Sequence, residues 1–170
     1  MKLIGLAGWS GAGKTTLLMR VIPLLIARGL KVSTIKHAHH SFDVDVPGKD
    51  SHRHREAGAT EVLVSSGKRF ALMHELREEA EWPLADLLHK MSPVDLLIIE
   101  GFKRDNHPKI EVHRAENGKP HLFPEDRTIV ALASDMRPDT HLPLIHIDDA
   151  ERIAATMIEK AVPLSDVLGG

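Results

Sequence analysis

The residues most able to do chemistry form a glycine-rich loop near the start of the chain. Residues 8–15 read GWSGAGKT and match the pattern G-x-x-x-x-G-K-[ST] in full. Glycines let such a loop curl around an anion with its N–H groups pointing inward, and the following helix adds its positive N-terminal end. The motif predicts a site for the phosphates of a nucleoside triphosphate. Its predicted phosphate-binding residues are Ser10, Gly11, Ala12, Gly13, Lys14, Thr15 and Thr16.

Individual roles follow from the chemistry of the motif. Lys14 is expected to reach the β- and γ-phosphates, the Thr15 hydroxyl to bind Mg²⁺, and Thr16 to assist at the α-phosphate. A P-loop protein also needs an acidic residue at the end of a neighbouring buried strand to hold the metal directly or through water. Glu100 is the only charge that ends the apolar run 96–99, and Gly101 lets the chain turn away beside a ligand. Lys14 and Glu100 are therefore predicted catalytic residues.

A histidine-rich loop follows the second predicted strand. Residues 36–45 read KHAHHSFDVD, and residues 49–55 read KDSHRHR. The loop begins at the carboxyl end of a strand, the edge at which α/β sheets bind ligands. It can contribute Asp45 to the magnesium shell and Lys36 or Lys49 to the phosphates, bind a transition metal through imidazoles, or bind the anion of a phosphorylated partner. An exposed, mobile polar loop is the fourth interpretation.

Asp135 is the candidate for recognition of the base. Guanine-specific P-loop proteins often carry N-K-x-D after a late strand, where the Asp accepts hydrogen bonds from guanine. That tetrad is absent here, but residues 131–135 read ALASD and place Asp135 where such a residue could stand. An Asp at a strand end can equally serve as a turn residue. The residues alone therefore do not separate GTP from ATP.

Composition narrows the functional classes. The 170 residues contain 22 Lys and Arg against 24 Asp and Glu, a formal charge of −2, so the chain lacks the basic excess typical of nucleic-acid binding. It has no cysteine, which excludes disulfides, thiolate metal sites and cysteine nucleophiles. No apolar run approaches the ~20 residues that span a bilayer, and the N-terminal run is too short for a signal peptide. We expect a soluble, cytoplasmic protein with no nucleic-acid or membrane partner.

Apolar patterning places these residues on an α/β framework. We expect one P-loop nucleotide-binding domain over residues 1–170, with a mainly parallel twisted sheet flanked by helices and antiparallel hairpin additions. The predicted strands are Leu3–Ala7, Lys31–Lys36, the hairpin Thr60–Ser65 and Arg69–His74, Val94–Ile99, Lys109–His113, Thr128–Ala133 and Leu144–Ile147. The predicted helices run from Lys14 to Gly29 with a kink at Pro23, from Asp50 or Ser51 to near Gly58, from Pro83 to Met91, and from Asp148 or Asp149 to Ala161.

Asn117-Gly118 carries a further prediction. This dipeptide is a strong signal for a tight hairpin turn, so residues 110–123 are expected to fold as a β-ribbon. Such a ribbon is long for the needs of a monomer. We therefore expect it to pair with a second subunit.

Several segments together resemble the molybdopterin-guanine dinucleotide biosynthesis protein B family. Its members are GTP-binding P-loop proteins that act as adapters in the maturation of the molybdenum cofactor. The resemblance covers nearly the whole chain, and its middle segments are far more specific than the phosphate loop. The segments that carry it are the phosphate loop, Ile35 to His37 with the histidine-rich loop, Pro47 to Ala59, Ile99 to Lys103, and Ala131 to Asp135.

The resemblance implies that the chain binds GTP with Mg²⁺, hydrolyses it weakly and forms homodimers. It also implies a role beside the molybdopterin guanylyltransferase, which joins GMP to molybdopterin, and in passing the finished cofactor to apo-molybdoenzymes. Related GTPases that dimerise around nucleotide place a second lysine after the first loop glycine, where this chain has Trp9. A lysine reaching from that position into a partner's phosphate site is therefore not expected.

Two other functions stay open from the residues. A small-molecule kinase would need lid arginines and an acceptor pocket, and Arg53 and Arg55 could serve in the lid. A metallochaperone GTPase would carry its metal on histidines of the histidine-rich region. Those histidines are His37, His39, His40, His52 and His54.

Overall fold

The computed structural model describes residues 1–38 and 42–169. The chain forms two compact units, one built from residues 1–37 and from 88 onwards, the other from residues 38–87. The strands are β1 Lys2–Ala7, β2 Val32–Lys36, β3 Glu61–Ser65, β4 Phe70–His74, β5 Leu96–Glu100, β6 Lys109–His113, β7 Ile129–Ser134, β8 Leu144–His146 and β9 Val162–Pro163. The helices are α1 Lys14–Ala27, α2 Asp50–Glu56, α3 Leu84–Lys90, α4 Ala150–Lys160 and α5 Leu164–Leu168.

The first unit is a mainly parallel sheet in the order β2-β5-β1-β6-β7-β8, with β9 antiparallel to β1. β1 lies between β5 and β6 and pairs with both in parallel. β1, β5 and β7 are nearly continuous apolar runs and are almost entirely buried, as is typical of parallel strands inside a sheet. All carboxyl ends of these parallel strands therefore meet at one edge, where the phosphate loop leaves β1.

One face of the sheet forms the main core with α1 and α4. Helix α1 buries a stripe of leucine and valine at helical spacing, and α4 lies against it. Asp149 caps α4 by accepting a hydrogen bond from the backbone N of Arg152 at 3.0 Å, so one of the two predicted caps is confirmed. The α/β class with its mainly parallel sheet is also confirmed, while β9 and α5 had no sequence prediction. The single domain over residues 1–170 stays a prediction.

A buried polar group lies at the amino end of β6. The Lys109 side chain is fully buried, and its Nζ donates to the Asp105 carbonyl oxygen and to Thr128 Oγ1, both at 2.6 Å. His107 is 1% exposed, and neither ring nitrogen has a hydrogen-bond partner among the described residues. Burial, with repulsion from Lys109, lowers the pKa of His107 to about 4. The imidazole is therefore neutral near pH 7.

The predicted ribbon over residues 110–123 is wrong. β6 is an interior strand with parallel neighbours on both edges, so it has no free edge for a returning antiparallel strand. Residues 115–117 form a 3₁₀ turn, and Gly118 ends it in the left-handed conformation at φ 60. The expectation that this ribbon pairs with a second subunit loses its basis.

The second unit contains the predicted hairpin. β3 and β4 pair antiparallel, with Leu63 opposite Leu72 and Ser65 opposite Phe70, which confirms this part of the sequence prediction. Helix α2 begins at Asp50, so the residue before it, Lys49, occupies the cap position without a side-chain hydrogen bond. Neither Asp50 nor Ser51 is the cap, because the Ser51 hydroxyl donates instead to Asp45 Oδ1 at 2.8 Å. Among the described residues, no helix is both long and apolar enough to cross a membrane.

Candidate functional site

The glycine-rich loop has the backbone conformation that anion binding requires. Gly8, Gly11 and Gly13 all have positive φ angles, of 147, 81 and 90 degrees. A Cβ on Gly8 would lie 2.4 Å from the Val112 carbonyl oxygen, so no side chain fits where the loop leaves β1. Helix α1 begins directly after Gly13 and adds its positive end to the loop. The loop therefore has the conformation and the electrostatics of a phosphate site.

The Lys14 ammonium group lies at the amino end of this loop. Its Nζ donates to the carbonyl oxygens of Gly8 at 2.9 Å and Trp9 at 3.0 Å. Burial lowers the pKa of Lys14, the nearby Glu100 carboxylate raises it, and the Lys103 and Lys36 charges lower it further. The ammonium group is thus half-buried, and its reduced exposure to water strengthens its attraction for an anion.

Glu100 meets the loop from the carboxyl end of β5. Its Oε1 accepts a hydrogen bond from Thr15 Oγ1 at 3.4 Å and lies 3.8 Å from Lys36 Nζ at the end of β2. Glu100 is 9% exposed, so the strand-end carboxylate does not simply face solvent. The structure therefore brings together Lys14, Thr15, Lys36 and Glu100 from three strand ends.

The donor set of this site suits magnesium. A hydroxyl and a carboxylate are hard oxygen ligands, and Mg²⁺ bound with a nucleotide takes most of its remaining ligands from water and phosphate oxygens. Among the described residues, no group of three or more His, Asp or Glu side chains could hold a metal ion by itself. A metal at Thr15 and Glu100 would thus depend on phosphate oxygens for its shell, as P-loop chemistry requires.

The chain bends sharply after Glu100. Gly101 has φ 95, and a Cβ there would lie 2.7 Å from the His37 Cβ. Phe102 is also left-handed at φ 48, an unfavourable conformation for a bulky side chain. Its ring lies 4.8 Å from the His37 ring between centroids. The bend directs Lys103 back to the phosphate loop, where its Nζ lies 4.9 Å from the centroid of the Trp9 ring.

The turn after β6 contacts the other side of the phosphate loop. Asn117 Nδ2 donates to the Ser10 carbonyl oxygen at 3.1 Å. Asp135, at the end of β7, accepts from the backbone N of Ala115 at 2.9 Å through Oδ1. Asp135 therefore braces the turn that touches the loop, and it is exposed to solvent.

Arg114 lies beside the last loop glycine. A Cβ on Gly13 would come within 3.2 Å of Arg114 Nε. One guanidinium nitrogen of Arg114 lies 3.5 Å from Asp148 Oδ1, and Arg20 of α1 contacts the same carboxylate at 3.2 Å. An arginine is thus held next to the phosphate loop by an acidic partner. No sequence motif pointed to it.

The remaining predicted ligands lie in the second unit. Asp45 Oδ1 accepts from Ser51 Oγ, and Asp45 Oδ2 contacts Arg55 Nε at 3.2 Å. The Ser51 hydrogen bond, the largest cause, lowers the pKa of Asp45, so it is an anion near neutral pH. Its role as a magnesium ligand and the phosphate role of Lys49 stay predictions.

Arg55 is bound by several carboxylates within its own unit. It contacts Glu75 Oε1 at 2.7 Å, Asp43 Oδ1 at 3.0 Å and Asp45 Oδ2 at 3.2 Å. Hydrogen bonds to these groups raise the pKa of Arg55. A kinase lid would need this arginine to exchange these partners for a phosphate. Of the five histidines considered for metal transport, His39 and His40 lie outside the described residues.

Sequence reasoning missed Arg114, Asn117 and the contact between Lys103 and Trp9. Each depends on which strands are neighbours, and the predicted ribbon hid the fact that β6 lies beside β1. Had β6 been placed beside β1, the rule that ligands bind at the carboxyl ends of parallel strands would have pointed to Arg114.

Comparisons with known proteins agree with this geometry. Residues 3–135 match the family described as molybdopterin guanine dinucleotide synthesis protein B. The molybdopterin-guanine dinucleotide biosynthesis adapter protein of Escherichia coli (strain K12) is 44% identical over 160 residues, covering 92% of this chain and 91% of that protein. The protein of the same name from Haemophilus influenzae is 40% identical over 153 residues, covering 89% and 85%.

Solved structures show the same fold. The crystal structure of a molybdopterin-guanine biosynthesis protein B has a TM-score of 0.74 at 29% identity, and the match covers 92% of this chain and 98% of that one. The Bacillus subtilis MobB structure also has a TM-score of 0.74, at 24% identity, with 95% and 99% covered. At that lower identity the likeness concerns the fold alone.

Proposed function

Because this chain belongs to the molybdopterin guanine dinucleotide synthesis protein B family, we propose that it is a GTP-binding adapter of molybdenum cofactor biosynthesis. The observation that carries the nucleotide part is a loop with the conformation of a phosphate cradle, whose Lys14 and Thr15 lie beside the Glu100 carboxylate at the end of β5. The adapter part rests on the names of the relatives. In this proposal the chain hydrolyses GTP weakly, with magnesium.

The residues divide the work as follows. Loop N–H groups and the start of α1 would bind phosphate oxygens, Lys14 would neutralise their charge, and Thr15 with Glu100 would hold the magnesium ion. When bound, Mg²⁺ would neutralise the phosphate oxygens that gain charge during hydrolysis. In P-loop enzymes that hydrolyse nucleotide fast, an arginine stabilises the negative charge of the transition state. Arg114, the arginine beside the loop, is instead paired with Asp148. Slow turnover is consistent with that pairing.

Calorimetric titration of the chain with GTP and with ATP, each with Mg²⁺, tests the nucleotide proposal. We expect saturable GTP binding and much weaker ATP binding. Comparable binding of both nucleotides, together with phosphate transfer to a small acceptor, would favour the kinase alternative. Equilibrium dialysis with zinc and nickel tests the metallochaperone alternative, which requires a stoichiometric bound metal at neutral pH.

Asp135 is proposed to recognise the guanine base. Its Oδ1 is engaged by Ala115 N, so the second carboxylate oxygen is the one available to a base. Asp135→Asn retains an oxygen for Ala115 and removes the charge, so the turn should stay in place. Because hydrogen bonds to a charged group are strong, we expect GTP affinity to fall by about tenfold with ATP affinity unchanged. An equal loss for both nucleotides in titration would make Asp135 a purely structural residue.

The partner proposal concerns the molybdopterin guanylyltransferase and apo-molybdoenzymes. An adapter that responds to nucleotide should bind its partner differently with GTP and without it. Immobilised chain, loaded with GTP or nucleotide-free, can be tested for retention of purified guanylyltransferase. Retention that depends on GTP supports the proposal, and no retention in either state counts against it.

A homodimer is also proposed, and the second unit offers a surface for it. Leu63, Phe70 and Leu72 share one face of the β3–β4 hairpin and are 60%, 72% and 52% exposed. A two-stranded sheet is marginally stable alone, and exposed apolar strands favour pairing with another chain. Because the chain resembles a family of homodimers, we propose that a second copy of this chain covers the apolar face of the hairpin.

Sedimentation equilibrium at micromolar concentration tests this surface. We expect a mass of twice the chain, and a shift to the single-chain mass in Leu72→Lys, because an ammonium group in an apolar interface is costly to desolvate. Met19→Lys is the matched control, since Met19 is an exposed apolar side chain on α1. A monomeric unsubstituted chain, or equal effects of the two substitutions, would contradict the proposed surface.

A further inference from the structure

Lys103 lies at the phosphate loop without an assigned role. It follows the bend in which Gly101 and Phe102 both adopt left-handed conformations. For Phe102, though not for a glycine, this conformation is strained, and such strain persists only where the surrounding structure fixes it and concentrates at functional sites. Here the Phe102 ring contacts the His37 ring, and the backbone N of His37 donates to the Glu100 carbonyl oxygen at 2.9 Å. The chain therefore maintains an unfavourable backbone whose result is to bring Lys103 to Trp9.

Trp9 holds the Lys103 ammonium group by its ring face. The distance of 4.9 Å between Nζ and the ring centroid lies within the range of a cation–π contact, and tryptophan offers the most favourable face for one. The ring is itself oriented, because Trp9 Nε1 donates to the Pro120 carbonyl oxygen at 2.8 Å. Lys103 thus has a defined position beside the second residue of the loop.

That position is the end of the loop at which Lys14 lies. Lys14 is the first residue of α1, but its side chain reaches back along the loop, so that Nζ donates to the carbonyl oxygens of Gly8 and Trp9 at the other end. In a P-loop the lysine reaches the β- and γ-phosphates, while the N–H groups of the loop and of the helix start bind the phosphates nearer the nucleoside. A cation above Trp9 is therefore on the side of the terminal phosphate.

The excess of positive charge near the phosphate loop also favours binding of a polyanion. Glu100 lies 3.8 Å from Lys36 Nζ and raises the pKa of Lys14, whereas the Lys103 and Lys36 charges lower it, so three ammonium groups lie near this carboxylate or near one another. The ammonium groups repel one another, while the one negative charge of Glu100 attracts Lys14 and Lys36. A triphosphate with its clustered negative charge neutralises the excess, and a diphosphate neutralises less of it.

We propose that Lys103 binds the γ-phosphate of the nucleotide and that Trp9 is a positioning residue that holds it there. The inference rests on the proposed function, because it names a further ligand of the same phosphate site. It also gives a role to the tryptophan at the second position of the loop. The Trp9 ring presents a lysine from the same chain, carried there by the segment after β5.

The test measures dissociation constants for GTP and GDP, each with Mg²⁺, in a single series of variants. Lys103→Gln should reduce the preference for GTP over GDP by about tenfold, since one charge-assisted contact to the γ-phosphate is lost. Arg104→Gln is the matched control, because it removes the same charge from the exposed neighbouring position, and it should leave the preference unchanged. Lys103→Arg should retain most of it.

The Trp9 variants separate positioning from folding. Trp9→Leu should lower the GTP preference in the same direction as Lys103→Gln, whereas Trp9→Phe keeps a ring face and should retain more of it. In the double variant, Trp9→Leu should add little to Lys103→Gln, because both act on the same contact. A structural role for Trp9 would instead weaken GTP and GDP equally.

Lys14→Ala in the same series distinguishes failure of the Lys103 inference from failure of the proposed GTP binding. If GTP binding depends on Lys14 but the GTP preference is unchanged in Lys103→Gln, the inference is overturned and the proposed function stands. If the unsubstituted chain binds neither nucleotide, both are overturned. A selective loss of GTP preference in Lys103→Gln, absent from Arg104→Gln, supports the inference.

Discussion

Substitution of Lys14 by alanine should reduce GTP affinity by about a hundredfold. The ammonium group lies within the loop at hydrogen-bond distance from the Gly8 and Trp9 carbonyl oxygens, and it is partly buried. A charged hydrogen bond in such a setting contributes about 1.5–3 kcal/mol, and the upper end of this range corresponds to the expected loss. Calorimetric titration with GTP and Mg²⁺ measures it directly.

The same substitution should leave folding largely intact. Burial lowers the pKa of Lys14, so the charged form is disfavoured where it stands and its removal relieves a desolvation cost. We expect the thermal midpoint of Lys14→Ala to equal or slightly exceed that of the unsubstituted chain. Lys31→Ala is the control, because Lys31 is an exposed lysine just before β2, at the opposite end of that strand from the loop. Unchanged GTP affinity in Lys14→Ala would remove the assignment of the phosphate site.

The second large effect concerns stability in acid and the buried His107. Its pKa is about 4 in the folded chain against an ordinary value of 6.5, because burial disfavours the imidazolium and Lys109 repels it, while Asp126 opposes the shift only weakly. Between these two pKa values the unfolded chain binds more protons than the folded chain, so stability falls as the pH decreases. The neutral imidazole thus contributes its full effect above pH 6.5 and loses it as the pH falls to about 4.

A difference of two and a half pKa units corresponds to at most about 3 kcal/mol of unfolding free energy. Urea unfolding of the unsubstituted chain and of His107→Gln, measured from pH 4.5 to 7.5, isolates this contribution. His107→Gln has no ionisable group at position 107. The unsubstituted chain should therefore lose stability relative to this variant as the pH falls. A difference that is constant with pH would show that His107 titrates normally. His107→Met repeats the comparison without a polar group to bury.

The strand, glycine-rich loop and helix that form the candidate phosphate site could be predicted because their determinants are local in sequence. The loop residues are contiguous in sequence. Apolar patterning predicts both the strand before them and the helix after them. Glu100 was predictable by a different route, since a single charge at the end of a fully apolar run can only lie at a strand end. Its contact with Thr15 follows from the parallel order of β5 and β1.

The Asn117-Gly118 prediction failed because tertiary structure overrode a local signal. The carboxylate of Glu111 accepts hydrogen bonds from the backbone N atoms of Leu122 and Phe123, at 2.8 and 3.0 Å. A ring nitrogen of His113 lies 2.9 Å from the Lys119 carbonyl oxygen. Side chains of β6 therefore satisfy backbone groups that a hairpin would have paired. Propensity for a turn does not reveal whether the preceding strand has a free edge.

The position of β1 in the sheet has a consequence for how the chain folds during translation. β1 is made before all of its partners, since Leu3 pairs with Leu97, Gly5 with Lys109, and Leu3 also with Val162. The strands that pair with β1 lie far from it in sequence, so long loops must close, at a cost in conformational entropy, before any pairing is gained. Pairing of β1 is therefore intrinsically slow. The phosphate loop follows β1 directly, so it is made well before β5 and β6, the strands that hold β1 in the sheet. A chain halted before β9 would leave the amino end of β1 without its antiparallel partner.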